Sequence, residues 1–414
     1  MNDIKKIAII GSGISGLTAA HLLHEKYDIS IFEVNNYIGG HTNTVIIDKE
    51  CGNYAVDTGF IVFNKKTYPN FIKLLDKLDV EKQESNMSFS FSSQVHGLEY
   101  SGNTLSSMFS QRKNVFNPKF YRLLKDIYSF NKRIYKLLEK NINLTTLKKF
   151  VEQERYGSYF EACYLNPLAS AIWSTPTKYV SNMPASFVFN FYANHGLLDI
   201  IDRPQWYVIK GGSNQYVKKI IKPFFNAIRL NEAVRNIKRY NCFVEIETNS
   251  SSERFDAVVL SCHSDQALQL LDMPTPNELR ILKSIPYIQN KAVLHTDSTI
   301  LPKSKRAWSS WNYLHQNEDV ASLTYYMNKL QSLTTKEDFL VSINNDNIDE
   351  SKIIQSFDYA HPLYSESSVE AKKQHDIINH KNRTFFTGAY WGNGFHEDGV
   401  NSSLKALSGL GVAL

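Results

Sequence analysis

Near the amino terminus the chain reads Ile7-Ala8-Ile9-Ile10, then Gly11-Ser12-Gly13-Ile14-Ser15-Gly16, then Leu17-Thr18-Ala19-Ala20. Four apolar residues without alternation predict a strand covered on both faces. The next six fit G-x-G-x-x-G: Gly11 permits a tight turn, Gly13 admits a pyrophosphate against the backbone, and Gly16 lets the following helix pack closely on the strand. That helix is predicted to start near Ser15 and to aim free N–H groups and a positive dipole end at phosphate. A second apolar strand, Ile29-Ser30-Ile31-Phe32, runs into Glu33 and Val34. Glu33 falls about 20 residues on, where a carboxylate can hold a ribose hydroxyl. Strand, glycine turn, helix and acid together predict a dinucleotide site.

Beyond Glu33 come Gly39-Gly40-His41-Thr42 and Val56-Asp57-Thr58-Gly59-Phe60. A further glycine pair so close to the ribose carboxylate points to a backbone that passes near a longer ligand. On these residues the sequence resembles the FAD-dependent amine oxidase and phytoene desaturase superfamily, and within it a bacterial group of predicted NAD/FAD-binding oxidoreductases. Two later blocks carry the same likeness. One runs from Trp206 to Cys262, with Gly211-Gly212 before a helix expected over Tyr216 to Phe225, and with the strand Asp256-Ala257-Val258-Val259-Leu260. The other is Thr384-Phe385-Phe386-Thr387-Gly388 with the loop and helix that follow. The likeness covers roughly residues 1–70, 205–270 and 380–408.

The resemblance implies an α/β fold with a Rossmann-like FAD-binding domain, of the glutathione reductase type, and an inserted α+β substrate domain. The cofactor domain would be assembled from residues 1–80, 205–270 and 380–414. The substrate domain would comprise a helix-rich part, 81–204, and a strand-rich part, 271–379. FAD would be held by Gly11, Gly13, Ile14, Ser15, Gly16, Glu33, Val34, Gly39, Gly40, His41, Thr42, Thr58, Gly59, Phe60, Val234, Gly388, Asp398, Gly399 and Val400. Within that set Val234 would meet the adenine, and the helix near Asp398-Gly399-Val400 would face the flavin pyrimidine, its dipole favouring the reduced ring. Asp398 and Glu397 are equally readable as an N-cap. The chain departs from the family at two positions: His41 stands where an arginine is usual, and Ala389 where an acid often holds the ribitol.

For substrate chemistry the resemblance singles out Lys291, which opens the strand Ala292-Val293-Leu294-His295, as a lysine that could hold water near flavin N5; a solvated strand lysine is the alternative. Tyr390, Trp391 and His396 follow the flavin motif and are expected on one face of the reaction site. Two aromatics there would make an amine cage or an apolar lid, and His396 could move protons or serve only as a bonded structural residue.

Composition narrows the classes further. With 414 residues, 43% hydrophobic and 21% charged, the chain reads as an ordinary globular protein of two or three domains. Net charge +5 is too small to argue for nucleic acid. Cys51, Cys163, Cys242 and Cys262 are scattered, which predicts reduced thiols, no metal cluster and a cytoplasmic setting. No stretch has the roughly 18 apolar residues of a membrane span. Arg112 to Lys149 is basic, opposed only by Asp126 and Glu139, with Tyr121, Tyr128 and Tyr135 interleaved. From Pro118 its periodicity is helical. A solvated helix face is the plain reading; a peripheral contact with anionic membrane through Lys119, Arg122, Lys125, Lys132, Arg133 and Lys136 is the sharper one.

The aromatic content of 13%, the basic helix and the bacterial group's association with modified fatty-acid synthesis lean the reading toward a hydrophobic or fatty-acyl substrate. Hydride removal from a C–H bond, with electrons passed to oxygen or another acceptor, is the expected reaction. The alternatives are a flavin amine oxidase acting on an amine and a non-catalytic flavin- and lipid-binding protein.

Overall fold

A computed structural model describes residues 4–49, 52–139, 146–199, 203–315 and 322–414. Cys51 and Lys140 lie outside these residues. Lys6–Ile10 is the central strand of a five-stranded sheet in which every neighbouring pair is parallel. On one side of it lie Asp28–Phe32 and then Ile228–Arg229; on the other lie Ala257–Leu260 and then Thr384–Phe386. These strands come from three separated stretches of the chain, and two long insertions leave the sheet between them.

Side chains on a strand alternate between faces, and the central strand uses both. Ile7 and Ile9 pack with Leu17 of the helix Ile14–Leu23 and with Val400 and Leu407 of the helix His396–Leu407. Ala8 and Ile10 face the antiparallel meander Val234–Arg239, Val244–Thr248 and Ser252–Phe255, together with the helix Pro276–Lys283. The absence of alternation in Ile7–Ile10 therefore reports two covered faces.

The insertions build a seven-stranded sheet jointly. Phe89–Ser93 and Leu98–Ser101 come from the first insertion, and Tyr287–His295, Trp311–His315, Ser322–Tyr326, Leu340–Ile343 and Ile353–Pro362 from the second. One face carries the helices Pro118–Glu139, Leu147–Gln153, Asn166–Trp173 and Ala185–Asn194 over a core rich in Phe and Tyr. The opposite face packs Ala292, Leu294 and Val341 on Ile47 and Val56 of the hairpin Thr44–Lys49 and Gly52–Asp57.

Buried Asp57 ties the parts together. It accepts from Thr44 Oγ1 (2.6 Å), Ser213 N and Oγ (both 2.8 Å) and Gln331 Nε2 (3.0 Å), the last from the second insertion. Burial outweighs these bonds and pushes its carboxyl up to about 6. No helix among the described residues is long and apolar enough to cross a membrane, and no group of His, Cys, Asp or Glu among them could hold a metal ion. Cys163, Cys242 and Cys262 are free thiols.

Candidate active site and cofactor cradle

The glycine turn follows from close backbone approach. Gly11 adopts φ +100°, and a Cβ on Gly16 would lie 1.9 Å from the Gly11 carbonyl oxygen. Gly13 differs: a Cβ there would have no atom within 4 Å. The helix begins at Ile14, one residue before the expected start, and Gly13 gives it no side-chain cap, so its first N–H groups face that open space. Glu33, at the strand end, is buried; its oxygens accept from Ser12 N (2.9 Å), Ser12 Oγ (2.6 Å), and Asn35 N and Nδ2 (both 2.9 Å). Val34 is 63% exposed at the same strand end.

The second glycine pair closes on the first turn: a Cβ on Gly40 would come 3.2 Å from Gly13 Cα. Gly59 packs beneath it, where a Cβ would meet the His41 carbonyl oxygen at 2.2 Å. The helix His396–Leu407 arrives from the far end of the chain; a Cβ on Gly399 would lie 2.7 Å from Ile14 Cγ2, and Ser403 Oγ donates to Ser15 O at 2.8 Å. Two helix N-terminal turns, almost 400 residues apart, thus lie side by side. Gly388 donates its N–H to Ser402 Oγ at 2.9 Å. Val400 and Val234 are buried, in the cores on opposite faces of the sheet.

Both acids of the last helix are occupied by backbone. Asp398 Oδ2 accepts from Phe395 N at 2.9 Å, capping its own helix, and Glu397 accepts from Asn70 N (3.0 Å) and Phe71 N (2.8 Å), capping the helix Pro69–Lys77. Burial raises both carboxyls, Asp398 to about 6. Asp398 thus takes the N-cap bond of its own helix, and Glu397 the N-terminal bonds of another.

His41 is the centre of an aromatic and imidazole cluster. It stacks on Tyr359 (4.8 Å), meets His361 edge-on (5.3 Å) and lies 6.3 Å from His263. Burial and the neighbouring imidazole push His41 down to about 4, so it is neutral at pH 7, and its Nε2 is buried without a partner. It is no fixed cation of the kind the usual arginine would supply. Thr58 Oγ1 lies 2.9 Å from Tyr359 Oη on the rim of this cluster.

His396 is locked elsewhere. Its ring stacks on Phe60 at 3.5 Å, and its Nε2 lies 2.9 Å from Thr42 Oγ1 and 3.2 Å from Tyr216 Oη. Burial holds it neutral, well below the usual histidine range.

Among the described residues, the structure does not bring Lys291, Tyr390 or Trp391 together with His396. Lys291 is exposed on the strand Tyr287–His295; the preceding residue, Asn290, points inward and joins His361 Nδ1 at 2.8 Å. Alternation along the strand puts the lysine outside. Tyr390 packs in the core with Val258 and Phe386, and Trp391 lies against Tyr390 (5.0 Å) and His375 (4.4 Å). Neither ring contacts His396 among the described residues, because the tight turn at Gly388 folds Tyr390 back over it: a Cβ on Gly388 would be 2.2 Å from the Tyr390 ring.

Tyr216, Asn290, Tyr359, His361 and His263 were not singled out from sequence. His361 and Tyr359 carry the period-2 signal of one strand face, and His263 follows the parallel strand directly, as binding residues in such sheets do.

A parallel sheet with two convergent helix N-termini, a glycine turn open at Gly13 and a buried acid at the second strand end defines a dinucleotide-binding flavoprotein. The family pattern of flavin containing amine oxidoreductases matches residues 14–328, and the chain belongs to that family. FAD is its cofactor, and the open cradle at Gly13 fits the group. Among solved structures, cyclohexylamine oxidase from Brevibacterium oxydans IH-35A superposes with TM-score 0.71 at 15% identity, covering 98% of each chain. The fatty acid isomerase from P. acnes gives 0.69 at 15% identity over 99% of each. These establish the fold. A 1-hydroxycarotenoid 3,4-desaturase from Flavobacterium sp. (strain P99-3) is 44% identical over 81 residues, 19% of this chain and 15% of that protein. The zeta-carotene desaturase of Capsicum annuum is 37% identical over 78 residues, 19% of this chain and 13% of the relative. The chain therefore matches less than a sixth of the length of these curated relatives.

Proposed function

We propose that the chain is an FAD-dependent oxidoreductase acting on a hydrophobic, fatty-acyl or similar lipid substrate in the manner of a desaturase. FAD, when bound, would supply the acceptor for a hydride from a C–H bond of the substrate. The chain's own part is to hold and exclude. Gly13 and the Ile14 helix start receive pyrophosphate, Glu33 the ribose, and the last helix is fixed in direction by its Asp398 cap. His41 and His396, buried and neutral, add no fixed cation beside the glycine turn, and aromatic rings pack around both.

The observation that carries the substrate class is the aromatic wall where the inserted domain meets the last helix. Phe191 stacks on Phe395 at 4.9 Å and lies 4.9 Å from Trp173, which lies 5.3 Å from Phe187. Trp173, Phe187 and Phe191 belong to the core of the inserted domain, and Phe395 carries the cluster to a cleft, where its ring suits an apolar chain. The local relatives are named for desaturating carotenoids, which supports the same class. Amine oxidation remains the rival, since the family is named for it. The deciding measurement is anaerobic bleaching of the flavin band in purified protein, against a panel of alkylamines and a panel of membrane phospholipids and fatty acids. Bleaching by lipids and not by amines is expected. Bleaching by amines alone would replace this reading with the rival, and no bleaching by either would favour a non-catalytic binder.

A peripheral membrane contact is part of the same reading. Lys119, Arg122, Lys125, Lys132 and Lys136 are exposed along the helix Pro118–Glu139, with Tyr128 55% exposed among them and Phe116 88% exposed just before the helix. Arg133 leaves the set: it pairs with Glu154 through bonds of 2.6–3.0 Å. Each free cation near an anionic bilayer contributes on the order of 1 kcal/mol, screened within about 10 Å at ordinary salt. Vesicle binding should therefore require anionic lipid, weaken with salt, and vanish when Lys119, Arg122, Lys125 and Lys132 become Gln with flavin content unchanged. Binding that ignores both lipid charge and those substitutions would remove the membrane contact from the proposal.

A further inference from the structure

Asn344 follows the strand Leu340–Ile343 and takes a left-handed backbone, φ +50°, which asparagine tolerates better than most residues. In that turn it meets the backbone of Lys291 twice. Asn344 N donates to Lys291 O, and Lys291 N donates to Asn344 Oδ1, both at 2.9 Å. A backbone N–H can only donate, so the Asn344 amide has one orientation, with its oxygen toward Lys291 and its nitrogen away from it. Asn344 Nδ2 then donates to Asn290 Oδ1 at 2.6 Å. That turns the other end of the Asn290 amide toward His361, and Asn290 Nδ2 donates to His361 Nδ1 at 2.8 Å. Asn290 is buried, so these bonds are shielded from water.

An imidazole nitrogen that accepts carries no proton. Neutral His361 must therefore bear its proton on Nε2, and a second proton on Nδ1 would face the Asn290 NH2, donor against donor. The ring can give a hydrogen bond at Nε2 and cannot act as a base. Among the described residues that Nε2 has no hydrogen-bond partner, and the ring is only half-buried. The titratable groups facing it are His41, edge-on at 5.3 Å, His263, and Tyr359 two residues before it on the same strand. Burial and the neighbouring His41 push His361 down to about 3, which accords with a ring kept neutral. His41 is the link to the cofactor cradle, since it follows Gly40, whose backbone closes on Gly13.

We infer that Asn344 and Asn290 are positioning residues that fix His361 as a neutral donor, its Nε2–H presented to an acceptor atom of bound FAD. Lys291 enters this device through its backbone N–H and carbonyl, not through its amine. The donor serves the cofactor whichever substrate class the enzyme takes.

The test reads protons rather than turnover. Protein with nitrogen-15 in its histidines, flavin-loaded and flavin-free, is followed by NMR from pH 5 to pH 8, with His361→Gln to assign the ring. Loaded wild type should show His361 Nε2 protonated and Nδ1 bare throughout that range. FAD should shift the Nε2 resonance and leave the tautomer unchanged. A protonated Nδ1 at pH 7, or an Nε2 resonance identical with and without FAD, would overturn the assignment. In Asn290→Asp a carboxylate accepts where the amide donated, so His361 should gain a proton on Nδ1 and be charged at pH 7. Nδ1 still bare in that variant would overturn the role of the amide. Should Asn290→Asp not fold, Asn344→Gly decides, because glycine keeps the left-handed turn and frees the Asn290 amide to rotate. Both His361 tautomers should then appear, and a single Nε2–H form would overturn the relay. His361→Leu should hold FAD roughly two- to tenfold more weakly, the worth of one hydrogen bond; affinity equal to wild type would remove the contact with the cofactor.

Discussion

Gly13 and Gly16 sit three residues apart in one turn and do different work, which substitutions by alanine separate. At Gly16 a methyl group would be 1.9 Å from a backbone oxygen, so the helix cannot keep its seat on the strand. Gly16→Ala should lower stability by several kcal/mol, since backbone has nowhere to move in a packed interior. At Gly13 the same methyl meets nothing within 4 Å in the protein alone. Gly13→Ala should leave the thermal midpoint of the apoprotein within a degree or so and still abolish FAD retention, because the space it fills is the one the pyrophosphate needs. Purification of both variants, with calorimetry and flavin absorbance, checks the contrast; a yellow Gly13→Ala protein would show that the phosphate lies elsewhere. Glu33→Ala should weaken FAD binding by about 1.5–3 kcal/mol, the range for a bond to a charged group. It also frees Ser12, whose N–H and hydroxyl both end on that carboxylate.

At the scale of elements, the last helix shows what a sequence can and cannot declare. Its strand–glycine–helix order was legible, as were the parallel strands and the long helix from Pro118, because each carries a local period or a turn residue with one physical meaning. Its acids were not. Glu397 caps a helix 327 residues away in the chain, and no local pattern encodes such a partner. Which face Lys291 takes was not legible for a related reason: a one-residue offset along a strand exchanges the inner for the outer face, and that strand pairs in register with Ile353–Pro362 far downstream. Glu397→Ala should destabilise the protein by roughly 1–2 kcal/mol, the usual worth of a lost N-cap. Glu397→Gln, which keeps one acceptor oxygen, should recover about half. Chemical denaturation of the three proteins reads this directly, and an unchanged midpoint in the alanine variant would mean that water caps Asn70 and Phe71 equally well.

At the scale of the whole molecule, the buried imidazoles make the fold sensitive to acid. His41, His195, His263, His295 and His375 are each pushed down to about 4, mainly by burial, and His361 to about 3. Their unfolded value is near 6.5, so below that pH the unfolded chain binds protons that the native state refuses, and stability falls as the pH falls. At pH 5 each such histidine costs on the order of 2 kcal/mol relative to pH 7. Asp57 and Asp398 act in the opposite sense. With native values raised to about 6, they take up protons in the folded state first, and each restores on the order of 1 kcal/mol at pH 5. The histidines outweigh the two acids, and the deficit is comparable with the 5–15 kcal/mol by which domains are stable at all. The thermal midpoint should therefore drop steeply between pH 6.5 and pH 5. In Asp57→Asn, which removes one of the opposing acids, the drop should be steeper still. A midpoint that holds level or rises over this interval would show that the imidazoles take up protons within the fold. His41, whose Nε2 has no partner, would then be the first to examine by NMR titration.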